Sequence, residues 1–232
     1  MPLVSLFQHI YKNRSKDDKW NLLLEFLRIV QGISPTIISV ENVPQIMKYN
    51  IFQEFITELK NLDYFVSHQV VNCPEYGVPQ NRKRMVLLAS KLGPISLLPP
   101  THTKENYINI SSILKGLPQI GAGEVCETDP LHIASKLSEL NLKRIRKSKP
   151  GGSWRDWEVE LQLKCHQKKS GERYGSVYGR MSWDAPAPTI TTQFHTYGTG
   201  RFGHPEQDRA LTIREGALIQ TFPLSYKFIR EL

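Results

Sequence analysis

The sequence predicts an α/β fold, the second half of a doubly wound sheet followed by a smaller irregular region. Three observations predict it. Two amphipathic helical patterns alternate with short apolar runs between residues 20 and 90. The connections between them are short, as in layered α/β folds. After Leu92 the periodicity fades into a stretch broken by Gly93, Pro94, Pro99 and Pro100.

Each element has its own local signal. Leu23, Phe26, Leu27 and Val30 recur at helical spacing and define one buried face. Asp17 or Asp18 can cap this helix, Gly32 ends it, and Pro35 prevents resumption. Thr36–Val40 is β-branched and reads as a buried parallel strand. Glu41-Asn42-Val43-Pro44 follows at once, at the strand's C-terminal end, the edge where open α/β sheets bind ligands. Phe52, Phe55, Ile56 and Leu59 mark a second helix, stopped near Asn61 and Asp63. Tyr64–Val71 and Met85–Ala89 read as strands around a loop carrying Pro74, Gly77 and Pro79. Farther on, one helix is expected near residues 131–146, strand-like sequence at Thr189–Thr192, and a final helix over Thr212–Gln220 before Pro223.

Composition narrows the class. A 40% hydrophobic content over 232 residues suffices for one large core or two small ones. No apolar run nears the ~18 residues of a membrane span, and the start lacks a signal-peptide pattern. Cys73, Cys126 and Cys165 are odd in number and widely spaced, which suits reduced thiols in a cytoplasmic protein. The net charge of +8 favours a polyanionic partner.

Three blocks carry the strongest signal. They are Glu41-Asn42-Val43, Gln80-Asn81-Arg82-Lys83-Arg84, and Arg214-Glu215-Gly216-Ala217-Leu218-Ile219-Gln220-Thr221-Phe222-Pro223. In this order and spacing they resemble the ENV, QxRxR and RExAxxQxFP blocks of the DNA (cytosine-5) methyltransferase family. Any one alone has an ordinary explanation, as a strand-end turn, a solvated basic turn or a capped helix. The resemblance runs from about residue 15 to the C-terminus. It implies a partial doubly wound S-adenosylmethionine-dependent methyltransferase sheet with a target-recognition domain. Residues 1–92 would be the C-terminal half of the catalytic domain, 93–187 the recognition region, and 188–232 a return segment.

The family's chemistry defines what these residues would do. Carbon 5 of cytosine is a poor nucleophile, activated by thiolate addition at carbon 6 so that it attacks the methyl group of S-adenosylmethionine. The base must first leave the duplex. By resemblance, Glu41 faces N3 and N4 of the ring and Arg84 contacts O2. Arg82 holds phosphate or the nucleophile loop, Gln80 orients its neighbours, and Asn42 positions the Glu41 loop. Thr189 lies near the backbone of the flipped nucleotide. Arg214, Glu215 and Gln220 brace the recognition region. Lys143, Arg144, Arg146 and Lys147, before Trp154 and Trp157, would grip DNA phosphates.

Other patterns are decoys. Gly198-Thr199-Gly200-Arg201-Phe202-Gly203 fits G-x-G-x-x-G, but His204-Pro205 disrupts any following helix. Gly151-Gly152-Ser153 lacks the lysine and spacing of a phosphate loop. Cys165-His166 has no companions at metal-ligand spacing, so no metal is expected. Cys73-Pro74 reverses the nucleophile order and follows the ENV block, so Cys73 reads as a small buried residue.

Family order places the cofactor-binding glycine block and the Pro-Cys block before residue 5, and a closing Gly-Asn block after residue 232. The sequence is therefore expected to be a truncated or split methyltransferase, active on duplex DNA only when a complementing N-terminal fragment supplies cofactor and thiol blocks. S-adenosyl-L-methionine would not bind this chain alone. The competing readings are a non-catalytic DNA-binding module and an inactive remnant.

Overall fold

A computed structural model describes residues 21–228, grouped into two units. Residues 21–71 and 83–99 form the first, and residues 72–82 and 100–228 the second. The proposed caps Asp17 and Asp18 lie outside the described residues.

The first unit packs two helices on a three-stranded sheet. Helix α1 (Asn21–Ile33) buries Leu23, Leu24, Leu27 and Val30. It runs one residue past Gly32, to Ile33, and Ser34, with a positive φ of 50°, turns the chain into Pro35. Strand β1 (Ile37–Asn42) follows, then a 3₁₀ turn over Pro44–Lys48. Helix α2 (Asn50–Asn61) buries Phe52, Phe55, Ile56 and Leu59, the four residues its periodicity selects. Strand β2 (Phe65–Asn72) comes next and, after β3 (Gln80–Asn81), which groups with the second unit, β4 (Lys83–Ser90) follows.

The sheet order is β1-β4-β2. The parallel reading of β1 is corrected here: β1 pairs antiparallel with β4, from Ile37 opposite Ser90 to Asn42 opposite Met85. The apolar run misleads because β1 is only half-buried; Ile38 is inside while Ile37, Ser39 and Glu41 are exposed. The middle strand β4 alternates instead, with Met85, Leu87 and Ala89 fully buried. These three close the core with Ile46, Phe52, Phe55 and Leu59.

The second unit is mostly turns around small elements. Short helix α3 (Ser111–Leu114) precedes the hairpin of β5 (Val125–Cys126) and β6 (Asp129–Ile133). Helix α4 covers Glu139–Lys147, capped by the Ser138 hydroxyl. The helix expected over 131–146 therefore begins later, because Leu131–Ile133 joins the hairpin and His132 is held on both ring nitrogens. Its Nδ1 lies 2.9 Å from Thr212 Oγ1 and its Nε2 2.8 Å from the Pro118 carbonyl. Strand β7 is Ala187–Pro188, and Thr189–Thr192 turns away, contrary to its strand-like composition. Helix α5 (Ile213–Ile219) ends the described elements; it begins within a residue of its expected start, with Thr212 as its cap.

The α2 core sets the cost of disrupting the first unit. Phe55 is fully buried, with its ring 6.2 Å from that of Phe26. Phe55→Ala is expected to destabilise the fold by about 3–5 kcal/mol. Gln53→Ala, at an exposed position of the same helix, should change it by less than about 0.5 kcal/mol. Urea unfolding followed by circular dichroism separates the two, and equal losses would misplace the core.

Candidate active site and nucleic-acid interface

The first unit brings two of the expected site residues together. Glu41 pairs in register with Val86, and Arg84 lies two residues before Val86 on the same strand. Glu41 and Arg84 are thus diagonal neighbours on one sheet face, within reach of long side chains. Arg84 Nε sits 2.5 Å from Glu41 Oε1. The arginine side chain is 20% exposed and the glutamate 55%, so a guanidinium rooted in the sheet holds a carboxyl that still meets solvent. Arg84 also donates to the Lys83 carbonyl at 2.8 Å. The Asn42 side chain accepts from the Val43 N–H at 2.8 Å and fixes the turn after Glu41. A cavity of about 420 Å³ opens between Leu22, Leu23 and Phe26 of α1 and Val40, Glu41 and Asn42 of β1.

Gln80 and Arg82 group with the second unit. Gln80 is almost fully buried, and its Oε1 accepts from the Ile190 N–H at 3.2 Å. Strand β3 pairs in parallel with β7, and the Thr189 hydroxyl donates to the Asn81 carbonyl at 2.6 Å. Asn81 Nδ2 donates to the Pro186 carbonyl. Gln80 and Thr189 thereby tie the chain around 80 to the chain around 190. The Arg82 carbonyl accepts from the Cys73 N–H. Cys73 is half-buried, more open than its sequence context implied.

The late block forms a buried ionic framework. Thr212 and Glu215 build a reciprocal capping box at the start of α5, satisfying two orphan donors. Arg209 clamps both Glu215 oxygens at 2.8 Å, and both residues are fully buried. Burial pushes the Glu215 carboxyl up, yet the Arg209 hydrogen bonds and charge outweigh it and hold the group below its ordinary value. Arg214 reaches both oxygens of Asp129 on β6 and holds that carboxyl low. Gly216 has no room for a side chain, since a Cβ would fall 2.3 Å from the Phe194 ring. Gln220, at the C-cap, is exposed and contributes through its backbone.

Two buried cations escaped the sequence reading. Arg209 sits six residues before its carboxylate, a spacing that matches no helical pair. Arg180 donates to the carbonyls of Ser148, His204, Glu206 and Gln207 and to Asp208, stapling two distant segments. Only the Thr212-x-x-Glu215 pattern was a readable local signal.

Helix α4 disperses its basic cluster. Arg144 is buried, donates to the Leu161 carbonyl and lies over the Trp157 and Tyr178 rings. Arg146 pairs with Asp208 at 3.2 Å and Lys147 with Glu158 at 2.7 Å. Lys143 is exposed. Trp154 and Trp157 are buried core residues with Ile145 and Tyr197. Among the described residues there is no acidic, His or Cys group suited to a metal, and no helix long and apolar enough to cross a membrane.

Comparison with known proteins gives one family over nearly the whole chain. The model of the C-5 cytosine-specific DNA methylase family matches residues 7–231. The Type II methylase M.HgiDII of Herpetosiphon aurantiacus is 53% identical over 99% of this chain and 66% of its own length. The Type II methyltransferase M1.BsuMI of Bacillus subtilis is 36% identical over 93% of this chain and 49% of its own. The chain thus spans about half to two thirds of these relatives. Among solved structures, a protein described as a DNA modification methyltransferase encoded within an E. coli prophage superposes with a TM-score of 0.63. It shares 19% identity, and the match covers 94% of this chain and 72% of that one, which establishes likeness of fold.

The buried framework predicts acid sensitivity. His204 Nδ1 accepts from the Glu206 and Gln207 N–H groups, and its Nε2 lies 3.7 Å from Glu215. Burial, opposed by Glu215 and aided by Arg209 and Arg180, pushes its pKa from 6.5 down to about 4. Between these values the unfolded chain binds a proton that the folded one does not. Stability should therefore fall as pH falls through this window, by up to about 1.4 kcal/mol per unit. Loss of the lowered Glu215 carboxylate adds to it below 4.5. His204→Asn keeps an acceptor for the two N–H groups but cannot titrate, and should flatten the slope between about pH 4 and 6.5. Urea unfolding across this range measures it, and an unchanged slope would remove His204 from the account.

Proposed function

We infer the function from one premise: this chain belongs to the C-5 cytosine-specific DNA methylase family. Its role is methylation of carbon 5 of a flipped cytosine in duplex DNA, in the setting of a Type II restriction–modification system, as the names of its relatives suggest. The observation that carries this reading is the Glu41–Arg84 pair on one sheet face. A carboxyl and a guanidinium side by side match the polar edge of cytosine. Glu41 hydrogen-bonds the N3 and N4 side, and Arg84 meets O2 as negative charge develops on the ring. Before the base arrives each group partners the other, so neither is left unpaired.

The supporting residues follow. Asn42 holds the Glu41 turn, Gln80 fixes the segment carrying Thr189, and Thr189 stands near the backbone of the extruded nucleotide. Arg82 holds phosphate or the nucleophile loop. Arg214 and Glu215 brace the region that reads DNA, which groups with the second unit.

The nucleophile comes from outside these 232 residues. Cys73, Cys126 and Cys165 do not stand in Pro-Cys order ahead of the ENV block. The family uses S-adenosyl-L-methionine. The cavity beside β1 joins apolar walls from α1 and Val40 to the polar Ser39, Glu41 and Asn42, and Glu41 is already paired with Arg84. In the family's order the glycine-rich cofactor block accompanies the thiol block, so we place the cofactor seat with the thiol.

The test is methylation by this chain co-expressed with a family fragment carrying the glycine-rich and Pro-Cys blocks. Glu41→Gln keeps the shape and removes the acid, and should cost about 10²–10⁴-fold in rate. Cys73→Ser should leave the rate nearly unchanged. A rate that ignores Glu41 and collapses with Cys73 would overturn the assignment.

A further inference from the structure

We propose that the loop Lys164–Arg173, and not helix α4, is the surface with which the second unit grips the phosphate backbone of duplex DNA. This rests on the reading that the chain acts on DNA, and it names the part of the recognition region that supplies affinity.

The loop is built, not loose. His166 is buried and stacks on Trp154, with ring centroids 4.3 Å apart and planes within 19°. Burial and the Arg144 charge lower the His166 pKa, so the ring stacks as a neutral base. Gln167 Nε2 donates to the Val159 carbonyl at 3.1 Å, and the Gly171 N–H to the Lys168 carbonyl at 2.7 Å. A Cβ at Gly171 would fall 2.5 Å from the carbonyl oxygens of both Cys165 and His166. The chain therefore folds back on itself within six residues, an approach that only glycine permits.

This fold gathers cations at its surface. Lys164, Lys168, Lys169 and Arg173 are all exposed. Among the described residues, none of their side chains makes a hydrogen bond or ion pair. The segment holds a single acid in sequence, Glu172. On helix α4, by contrast, Arg144, Arg146 and Lys147 already have partners, which leaves Lys143 as its one exposed cation without one among the described residues. A cation paired with its own carboxylate must give that partner up before it can neutralise a phosphate. An exposed, unpaired one displaces a condensed counterion from DNA directly, and such displacement supplies most sequence-independent affinity. The rings of Trp154, Trp157 and Tyr178 hold the loop through His166.

The experiment compares two full-chain variants of equal net charge on a labelled mixed-sequence duplex, with affinity measured from about 50 to about 200 mM salt. One carries Lys164→Gln, Lys168→Gln and Lys169→Gln. The other carries Lys143→Gln, Arg146→Gln and Lys147→Gln, two of which are ion-paired on α4. The loop variant should lose at least about tenfold in affinity, with a salt slope shallower by about one unit per lost contact. The α4 variant should keep most of the wild-type slope. Gly171→Ala removes no charge, and it should also weaken binding by breaking the fold-back of the loop. Equal effects of the two charge variants, or a larger effect in α4, would overturn the proposal while leaving DNA binding intact. Tighter binding of duplex RNA than of duplex DNA would overturn the choice of partner. Absence of salt-dependent duplex binding by the wild-type chain would instead sink the DNA-acting reading itself.

Discussion

The first unit depends on the antiparallel return of β4 beside β1. That register places Glu41 diagonally across from Arg84 and turns both to one face. It is held from the other face, where Met85, Leu87 and Ala89 are fully buried against α2 and Ile46. A slip of one residue would exchange the faces, putting Arg84 into the core and the three apolar side chains outside. The hydrophobic core and the candidate active site are thus two faces of one constraint. The ion pair is too exposed to anchor the fold, so packing fixes the geometry and the pair makes use of it.

The second unit solves a different problem. It has few regular elements, and its backbone groups need partners that helices and strands do not supply. Buried guanidinium groups fill that need. Arg180 serves four carbonyls and Asp208, while Arg209 holds both oxygens of Glu215 and also donates to the Ala210 and Ile120 carbonyls. Burying charges is costly unless every one is paired, and losing one partner strands the other. Such a framework is a scaffold for irregular loops. The same buried ions make it a weak point in acid, where His204 and Glu215 would take up protons on unfolding.

What the sequence disclosed follows from how local each signal is. Helices α1 and α2 were legible because 3.6-residue periodicity is a local property, and all four predicted α2 positions are buried. The final helix was legible from its capping pattern. The direction of β1 was not, since an apolar run of five residues reports burial and says nothing of its neighbour's direction. Leu131–Ile133 looked helical, but pairing with β5 and the two bonds to His132 outweigh local propensity. At the candidate site, Glu41 and Arg84 were named through resemblance, whereas their contact required the strand register. The basic run 143–147 showed the charge of its residues but not the carboxylates that pair with Arg146 and Lys147. Arg209 and Arg180 had no local signature, because their partners lie in other turns.

The central claim is that Glu41 and Arg84 act as one unit on the target base. A double-mutant cycle tests it most directly, with kcat/KM of the completed enzyme measured for Glu41→Gln, Arg84→Ala and both together. Residues acting as a unit give strongly non-additive losses. The double variant should therefore fall no more than about tenfold below the worse single variant. Losses that multiply in full would show two independent groups and contradict the account.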